Sequence, residues 1–415
     1  MRIAIIGSGI AGMTAAHLLQ QSHDVHLFEA DDRPGGHANT VHLRLDNREV
    51  AADTGFLVFN ERTYPRFTRL LAQLGVATHS SDMSFSLTDR ASGLEWKGTS
   101  LNTVFAQRRN AVQPRFLAML ADVARFNRLA RGLLEDPAAP SGTLADLLAG
   151  HRWSPGFLDW YLAPMGSAVW SADPTTFTQI PARTFAEFFG RHGLLRLGDQ
   201  PQWRTVTGGS ARYVEALLTP LRRQGRLHLA TPITKVRREA GGVELLTDSG
   251  SAAFDHVVLA VHSDQALGLL GDPTEEERAT LGAIRYQQNR ATLHTDTRLL
   301  PGNQRAWAAW NYLRTTEQSR LATLTYHLNR LQGLDLERPL LVTLNREAEI
   351  DPDLVLRRFD YAHPVIDQAA VGAQSRQRAI SRGAVSYCGA YWGYGFHEDG
   401  VNSAVAVCER FGVTL

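Results

Sequence analysis

Short apolar runs bounded by glycine open the chain. Arg2-Ile-Ala-Ile-Ile6 carries no polar alternation, the pattern of a strand buried on both faces of a parallel sheet. A helix is predicted from about Ile10 to Gln20, and Asp24-Val-His-Leu-Phe-Glu29 then alternates and ends in an acid. Strand, helix and strand thus follow within roughly 30 residues, the length of one βαβ unit. From Thr63 to Gln200 the pattern changes to longer amphipathic stretches with many aromatics: Trp153, Phe157, Trp160, Tyr161, Trp170, Phe177, Phe185, Phe188 and Phe189. Sheet-like sequence returns at Leu227–Val236 and Phe254–Val261, strand patterns recur at 284–296 and 305–346, and Ala384–Phe411 reads as a glycine-rich turn followed by a helix. Two discontinuous domains are predicted, one from residues 1–62, 201–262 and 375–415, the other from 63–200 and 263–374.

Composition narrows the class of protein. At 415 residues, 44% hydrophobic and 20% charged, the chain is expected to be an ordinary water-soluble globular protein. A net charge of +1 gives no long-range field for nucleic acid, which is not an expected partner. Cys388 and Cys408 are too few for a disulfide framework and no metal-type cluster surrounds them, so a reducing cytoplasm is expected and no metal. The apolar first 19 residues have only Arg2 as a basic flank and enclose three close glycines, and are expected to be folded structure instead of a signal peptide. Lys97 and Lys235 are the only lysines.

Gly7-Ser-Gly-Ile-Ala-Gly12 stands between the first strand and the first helix. Glycines there allow a tight turn, close backbone approach to a pyrophosphate and close helix–strand packing, while the helix N-terminus supplies free N–H groups and the positive end of its dipole. Gly7, Gly9, Ile10, Ala11 and Gly12 are therefore candidate dinucleotide contacts, and Glu29, with Ala30 beside it, lies where a carboxylate accepts from ribose hydroxyls.

Arg33-Pro-Gly-Gly-His37 follows at once, and the series resembles the N-terminal signature of the flavin amine oxidase and phytoene desaturase superfamily. The resemblance spans the chain. It implies an α/β protein with a Rossmann-type FAD-binding domain and a discontinuous α+β substrate domain. By position it implies that Glu29 binds the adenosine ribose, that Arg33 approaches the phosphate and ribityl region, and that Gly35 and Gly36 let the backbone pass the flavin, with His37 a further cofactor-binding candidate. Asp53-Thr54-Gly55 resembles the next segment near the isoalloxazine, Val236 the position whose backbone contacts adenine, and Gly208-Gly209 a second glycine pair. Tyr387-Cys-Gly-Ala390 and Asp399-Gly-Val-Asn-Ser-Ala404 resemble the final flavin motif, with Gly389, Gly400 and Val401 carried over. Most relatives place an acid two positions after the glycine matching Gly389. Here Tyr391 stands there, leaving Glu398 or Asp399 either to substitute or to be turn residues.

Flavin amine oxidases usually carry a lysine in a substrate-domain strand, which by order of elements is Arg285–Thr295. That stretch has none, with Asn289 and Arg290 in its neighbourhood. No cysteine occupies the region where some relatives attach flavin, so the resemblance implies non-covalent FAD. Asp53–Asn60, Ser167–Ser171, Phe188–Leu194 and Trp203–Ser210 are similar to a bacterial amine-oxidoreductase-like group, itself similar to the flavoprotein half of plant cyclopropane fatty acid synthases. This association implies a lipid substrate and desaturation of a modified acyl chain, with the aromatic-rich section as tunnel wall. Alternatives are an amine oxidase and an electron-carrying partner of a lipid-modifying enzyme. His37, Tyr391, Tyr394, His397 and Cys388 lie in segments expected near the cofactor, though structural roles are commoner for each type. Between Val112 and Leu134, apolar Val112, Phe116, Leu120, Val123, Phe126 and Leu133 share a helical face, with Arg115, Arg125, Arg128 and Arg131 elsewhere. Such a helix suits peripheral contact at the inner membrane face, while packing on the substrate domain is the commoner fate of such a face.

Overall fold

The computed structural model describes residues 1–136, 142–174, 176–196, 198–315 and 321–415. Strand β1 (Arg2–Ile6) is flanked in parallel by β2 (Asp24–Phe28) on one side and His256–Leu259 on the other, which is why its side chains from Ile3 onward are buried. Leu227–His228 and Val385–Tyr387 complete the five-stranded parallel sheet. Helix α1 (Ile10–Leu19) is buried nearly all round because it lies against this sheet and the helix His397–Cys408. Its residues are small or aliphatic, so neighbours approach closely.

A seven-stranded sheet builds the second core. Its order is Val355–Pro364, Tyr286–His294, Leu341–Leu344, Leu324–His327, Trp310–Arg314, Phe85–Asp89 and Leu94–Lys97. The helices Pro114–Glu135, Ala163–Trp170 and Ala182–Arg191 pack with it into one apolar cluster. Strands β3 (Thr40–Leu45) and β4 (Arg48–Asp53) form a hairpin that begins and ends at the site described below.

Two features depart from the sequence reading. Leu227–Val236 is not one strand, because Ala230 takes a positive φ of 48° and Pro232 lacks an N–H; after Leu227–His228 the chain leaves the parallel sheet and Lys235–Glu239 pairs in a separate antiparallel one. The helix Pro65–Gln73 falls in the segment assigned to the substrate domain, yet Phe67, Leu70 and Leu71 join the nucleotide-side core. Glu398 explains this, its carboxylate accepting from Arg66 N at 3.1 Å and Phe67 N at 2.9 Å and so capping that helix.

Candidate functional site

One cavity of about 1350 Å³ runs from the β1–α1 turn into the second core. Pockets for a single small ligand span about 300–1,000 Å³, so this one has room for a cofactor and a substrate together. Gly7, Gly9, Ile10 and Ala11 line its first end, with Glu29, Arg33, Gly35, Gly36 and His37 beside them. Gly9 caps α1 in extended conformation with no side-chain cap and no acid in the first turn. A Cβ on Gly9 would meet nothing within 4 Å, so the cradle is open where a pyrophosphate would lie against free N–H groups. Gly12 serves packing, since a Cβ there would stand 1.9 Å from the Gly7 carbonyl oxygen.

Glu29 and Ser8 hold the cradle in shape. Ser8 N donates to the Glu29 carboxylate at 2.9 Å and Ser8 Oγ at 2.5 Å, and Asp31 N donates at 3.1 Å. Gly35 N in turn donates to Ser8 O at 3.1 Å, latching the Arg33–Gly36 turn onto the cradle. Arg33 Nη2 donates to Gly36 O at 3.0 Å, closing that turn on itself. Ser8 is thus a site residue the sequence reading passed over; its only signal was its place between two motif glycines. Glu29→Ala is expected to weaken FAD retention between tenfold and a hundredfold, because one charge-assisted hydrogen bond contributes about 1.5–3 kcal/mol. Flavin content after gel filtration checks this, and equal occupancy in wild type and variant would give Glu29 another role.

Other expected contacts lie behind the wall instead of on it. Asp53 is buried, and its carboxylate accepts from Ser210 N at 2.9 Å, Ser210 Oγ at 2.7 Å, Thr40 Oγ1 at 2.6 Å and Gln332 Nε2 at 3.2 Å. Burial outweighs these bonds and pushes its pKa up to about 6. Thr54 Oγ1 pairs with the hydroxyl of Tyr361 at 2.7 Å, and Tyr361 and Gly55 line the cavity. Gly400 presses on α1, where a Cβ would stand 2.7 Å from Ile10 Cγ2, and Val401 is core. Ala30 is exposed and outside the lining. Val236 is fully buried away from the cavity, its carbonyl already accepting from Gly271 N at 2.8 Å.

At the C-terminal motif, Gly389 and Tyr391 line the cavity, and the Tyr391 hydroxyl is buried without a hydrogen-bond partner. Neither acid replaces it there, for Glu398 caps the helix Pro65–Gln73 and Asp399 accepts from Phe396 N at 2.9 Å at the head of its own helix. His397 also lines the cavity, yet its Nε2 is 2.7 Å from the Tyr213 hydroxyl and its ring stacks on Phe56. Cys388 and Cys408 are buried outside the lining.

Residues from distant strands complete the middle of the cavity. His37, His262, Tyr361 and His363 come together there, with ring centroids 4.8 to 6.5 Å from His37. Burial holds the pKa of His37 well below the usual range and pushes that of His363 down to about 4, so both imidazoles are neutral at neutral pH. Asn289, in the strand where a lysine was sought, donates from Nδ2 to His363 Nδ1 at 3.0 Å while its Oδ1 accepts from Asn345 Nδ2 at 2.8 Å. His363 Nδ1 is therefore an acceptor and its proton sits on Nε2. Arg290 points away, paired with Asp360 and Glu347. Lys97 donates to Trp307 O and Lys235 lies on the antiparallel sheet; neither lines the cavity.

Beyond the histidines the cavity becomes an apolar chamber. Of the aromatics expected to form its wall, Tyr161, Trp170 and Phe188 do so, whereas Phe157, Trp160, Phe185 and Phe189 point into the core. Helical spacing explains the split: in Ala182–Arg191, Phe185 and Phe189 stack with each other at 4.0 Å while Phe188 turns to the other side. Phe85, Trp96, Met165, Val169, Trp310 and Tyr326 also line it, together with Met119, Leu120 and Val123 of the helix Pro114–Glu135, and the polar side chains of Ser84, Asn127, Ser171 and His192 stand among them. That helix's apolar face is thus turned inward, with Phe116, Phe126 and Leu133 buried, and is not a free membrane-facing surface, whereas Val112, expected on the same face, ends the short helix before it and is exposed. Among the described residues no helix is long and apolar enough to cross a membrane.

Comparison with known proteins agrees with this geometry. The sequence profile of the family described as "Flavin containing amine oxidoreductase" matches residues 10–331. A Mycobacterium tuberculosis protein named as a flavin-containing monoamine oxidase, AofH, is 26% identical over 289 residues, covering 65% of this chain and 59% of that protein. The chain therefore aligns with less than two thirds of that relative's length. Among solved structures, cyclohexylamine oxidase from Brevibacterium oxydans IH-35A superposes with a TM-score of 0.66 at 18% identity, over 99% of each chain. The CLA-producing fatty acid isomerase from P. acnes gives 0.67 at 16% identity, over 99% of this chain and 98% of that one. The family match covers most of the chain, which therefore belongs to the flavin-containing amine oxidoreductases, a family of FAD-dependent oxidoreductases.

Proposed function

We propose that the protein is a desaturase of long acyl chains, removing two hydrogens from a chain that bears a methyl branch or other one-carbon modification. The observation that carries this reading is the apolar chamber, which continues from the dinucleotide cradle without a break and has no lysine in its wall. When bound, FAD supplies a hydride acceptor. The chain's own part is to hold one substrate C–H bond in line and to exclude water, which side chains such as Trp170, Phe188 and Tyr326 are shaped to do. The substrate gives up hydride from one carbon and a proton from the next, and the electron pair of the second C–H bond becomes the new π bond. His37, neutral and with Nε2 unpartnered, is the cavity imidazole placed to take that proton, while His363 keeps its own on Nε2. A branch or double bond next to the reacting carbon stabilises developing positive charge, so a modified chain is the better substrate.

A second reading, oxidation of a primary or secondary amine, is favoured by the name of the curated relative. One experiment separates the two. The protein is expressed in a bacterium whose lipids include methyl-branched chains, beside a Gly9→Trp variant whose indole fills the open cradle, and the lipids are compared by mass spectrometry. The expected result is a lipid two hydrogens lighter in the active strain alone. Absence of any such lipid, with anaerobic bleaching of the purified flavoprotein by simple amines, would move the assignment to amine oxidation.

A further inference from the structure

The acyl-chain reading leaves open how a chain anchored in a membrane reaches a buried chamber. One opening of the chamber lies at Gly98 and Thr99, which are exposed and line it, next to Val104. Around this opening the surface is unusual. Leu101 is 78% exposed, Val112 80%, Leu117 42% and Leu158 38%, four of the six large apolar side chains that stand out from the described surface. They are neighbours in space as well. Arg108 ties its short helix to Leu101–Val104 by donating to Asn102 Oδ1 at 2.6 Å and Phe105 O at 2.9 Å. That short helix runs to Val112 and packs on the start of Pro114–Glu135. The turn bearing Leu158 is adjacent, since a Cβ on Gly156 would stand 3.1 Å from Arg115 O, and the Arg115 guanidinium lies 4.8 Å from the Trp160 ring centroid.

Basic charge dominates this face, and the acid beside Leu158, Asp159, is paired with Arg314 at 3.3 Å. From Trp96 to Ala121 the sequence contains no Asp or Glu, but it holds Arg108, Arg109 and Arg115. None of the three forms an ion pair with a carboxylate among the described residues; Arg109 donates to Gly93 O at 2.6 Å. Exposed aliphatic tips in a ring of uncompensated arginines match the interface of an anionic bilayer, where the tips enter the acyl boundary and the guanidinium groups meet lipid phosphates.

We propose that Leu101, Val112, Leu117 and Leu158, with Arg108, Arg109 and Arg115, form a docking face for an anionic phospholipid bilayer and set the Gly98–Thr99 opening against it. The face rests on the acyl-chain reading only for its purpose. It differs from a helix lying flat on its apolar stripe, because the apolar stripe of Pro114–Glu135 lines the chamber and only the helix's outer start and its neighbours touch lipid.

The test is sedimentation of the FAD-loaded protein with phosphatidylcholine vesicles made with and without phosphatidylglycerol, without turnover. Wild type is expected to pellet with the phosphatidylglycerol vesicles at low salt and to be released by high salt. L101S/V112S/L117S should lower partitioning about tenfold or more, since burying one aliphatic side chain already shifts an equilibrium by that factor. R108Q/R109Q/R115Q should weaken it about fivefold per charge on phosphatidylglycerol vesicles only. All substituted positions are outside the cradle, so the flavin spectrum of each variant reports that it has folded. Wild type remaining in the supernatant at every composition would overturn the proposal, as would equal binding by the serine variant. So would a wild-type dimer in the ultracentrifuge that the serine variant turns into monomer, which would give the face to a second copy of the chain. Because no lipid is converted in this assay, its failure leaves desaturation untouched. Failure of desaturation in the lipid analysis leaves the docking face standing.

Discussion

Acidification from pH 7.5 to pH 5 is expected to lower the melting temperature by several degrees, up to about 8 °C, beyond what a surface salt bridge would cause. Six histidines carry the effect. Burial pushes the pKa of His192, His256, His294, His327 and His363 down to about 4 and that of His397 to about 3, against an ordinary 6.5. Each is neutral in the fold, so below pH 6.5 the unfolded chain binds a proton that the folded chain does not. The stability they contribute is present above pH 6.5 and is lost as pH falls towards 4. Two buried acids oppose this. Asp53 and Asp399, raised by burial to about 6 and about 7, contribute stability that is full below pH 3.8 and lost as pH rises through those values. The histidines outnumber them by about four protons, or on the order of 5 kcal/mol per pH unit as a ceiling. A domain's whole stability is about 5–15 kcal/mol, so even part of that ceiling is a sizeable share of it. Melting followed by circular dichroism across this range checks it. His294→Gln should flatten the slope by about one proton, since that ring is fixed by Thr343 Oγ1 at 2.7 Å. A melting temperature constant from pH 7.5 to 5 would show that these rings titrate freely.

Asp53→Ala is expected to be the most damaging single change near the site, costing about 3–5 kcal/mol and most of the bound FAD. Asp53 ends β4 and joins three separate pieces of chain: the hairpin through Thr40, the glycine pair through Ser210, and the second core through Gln332. Alanine leaves Ser210 N as a buried donor without an acceptor and Gln332 Nε2 with only Ala51 O at 3.4 Å, at about 1–3 kcal/mol for each lost partner. Gly55, two residues on, is part of the cavity wall and shifts with the strand. Asp53→Asn keeps the shape and one acceptor and should cost less. Urea midpoints of the flavin-loaded and flavin-free forms separate the two effects. A loss under about 1 kcal/mol for Asp53→Ala would mean that the three segments are held together elsewhere.

The local half of this protein was legible in its sequence. The β1–α1–β2 unit and its glycines obey short-range rules: an apolar run too uniform for an exposed strand, glycines where a backbone must be approached, an acid at a strand end. Those residues are consecutive, so their chemistry and their spacing can be read together. The family and the cofactor followed from them. Tertiary structure alone decided which residues face the same space. Strand pairing carries Tyr361 and His363 beside His37, more than 320 positions earlier in the chain, and their separation hides that contact from any motif. Asp53 shows the reverse. Its place in a motif suggested a contact with the flavin, but the hairpin turns its carboxylate away from the cavity to meet Ser210 and Gln332. The aromatic run and the amphipathic helix likewise fixed which faces are apolar, while packing of one helix on the next decided which of those faces became core, chamber wall or exposed rim.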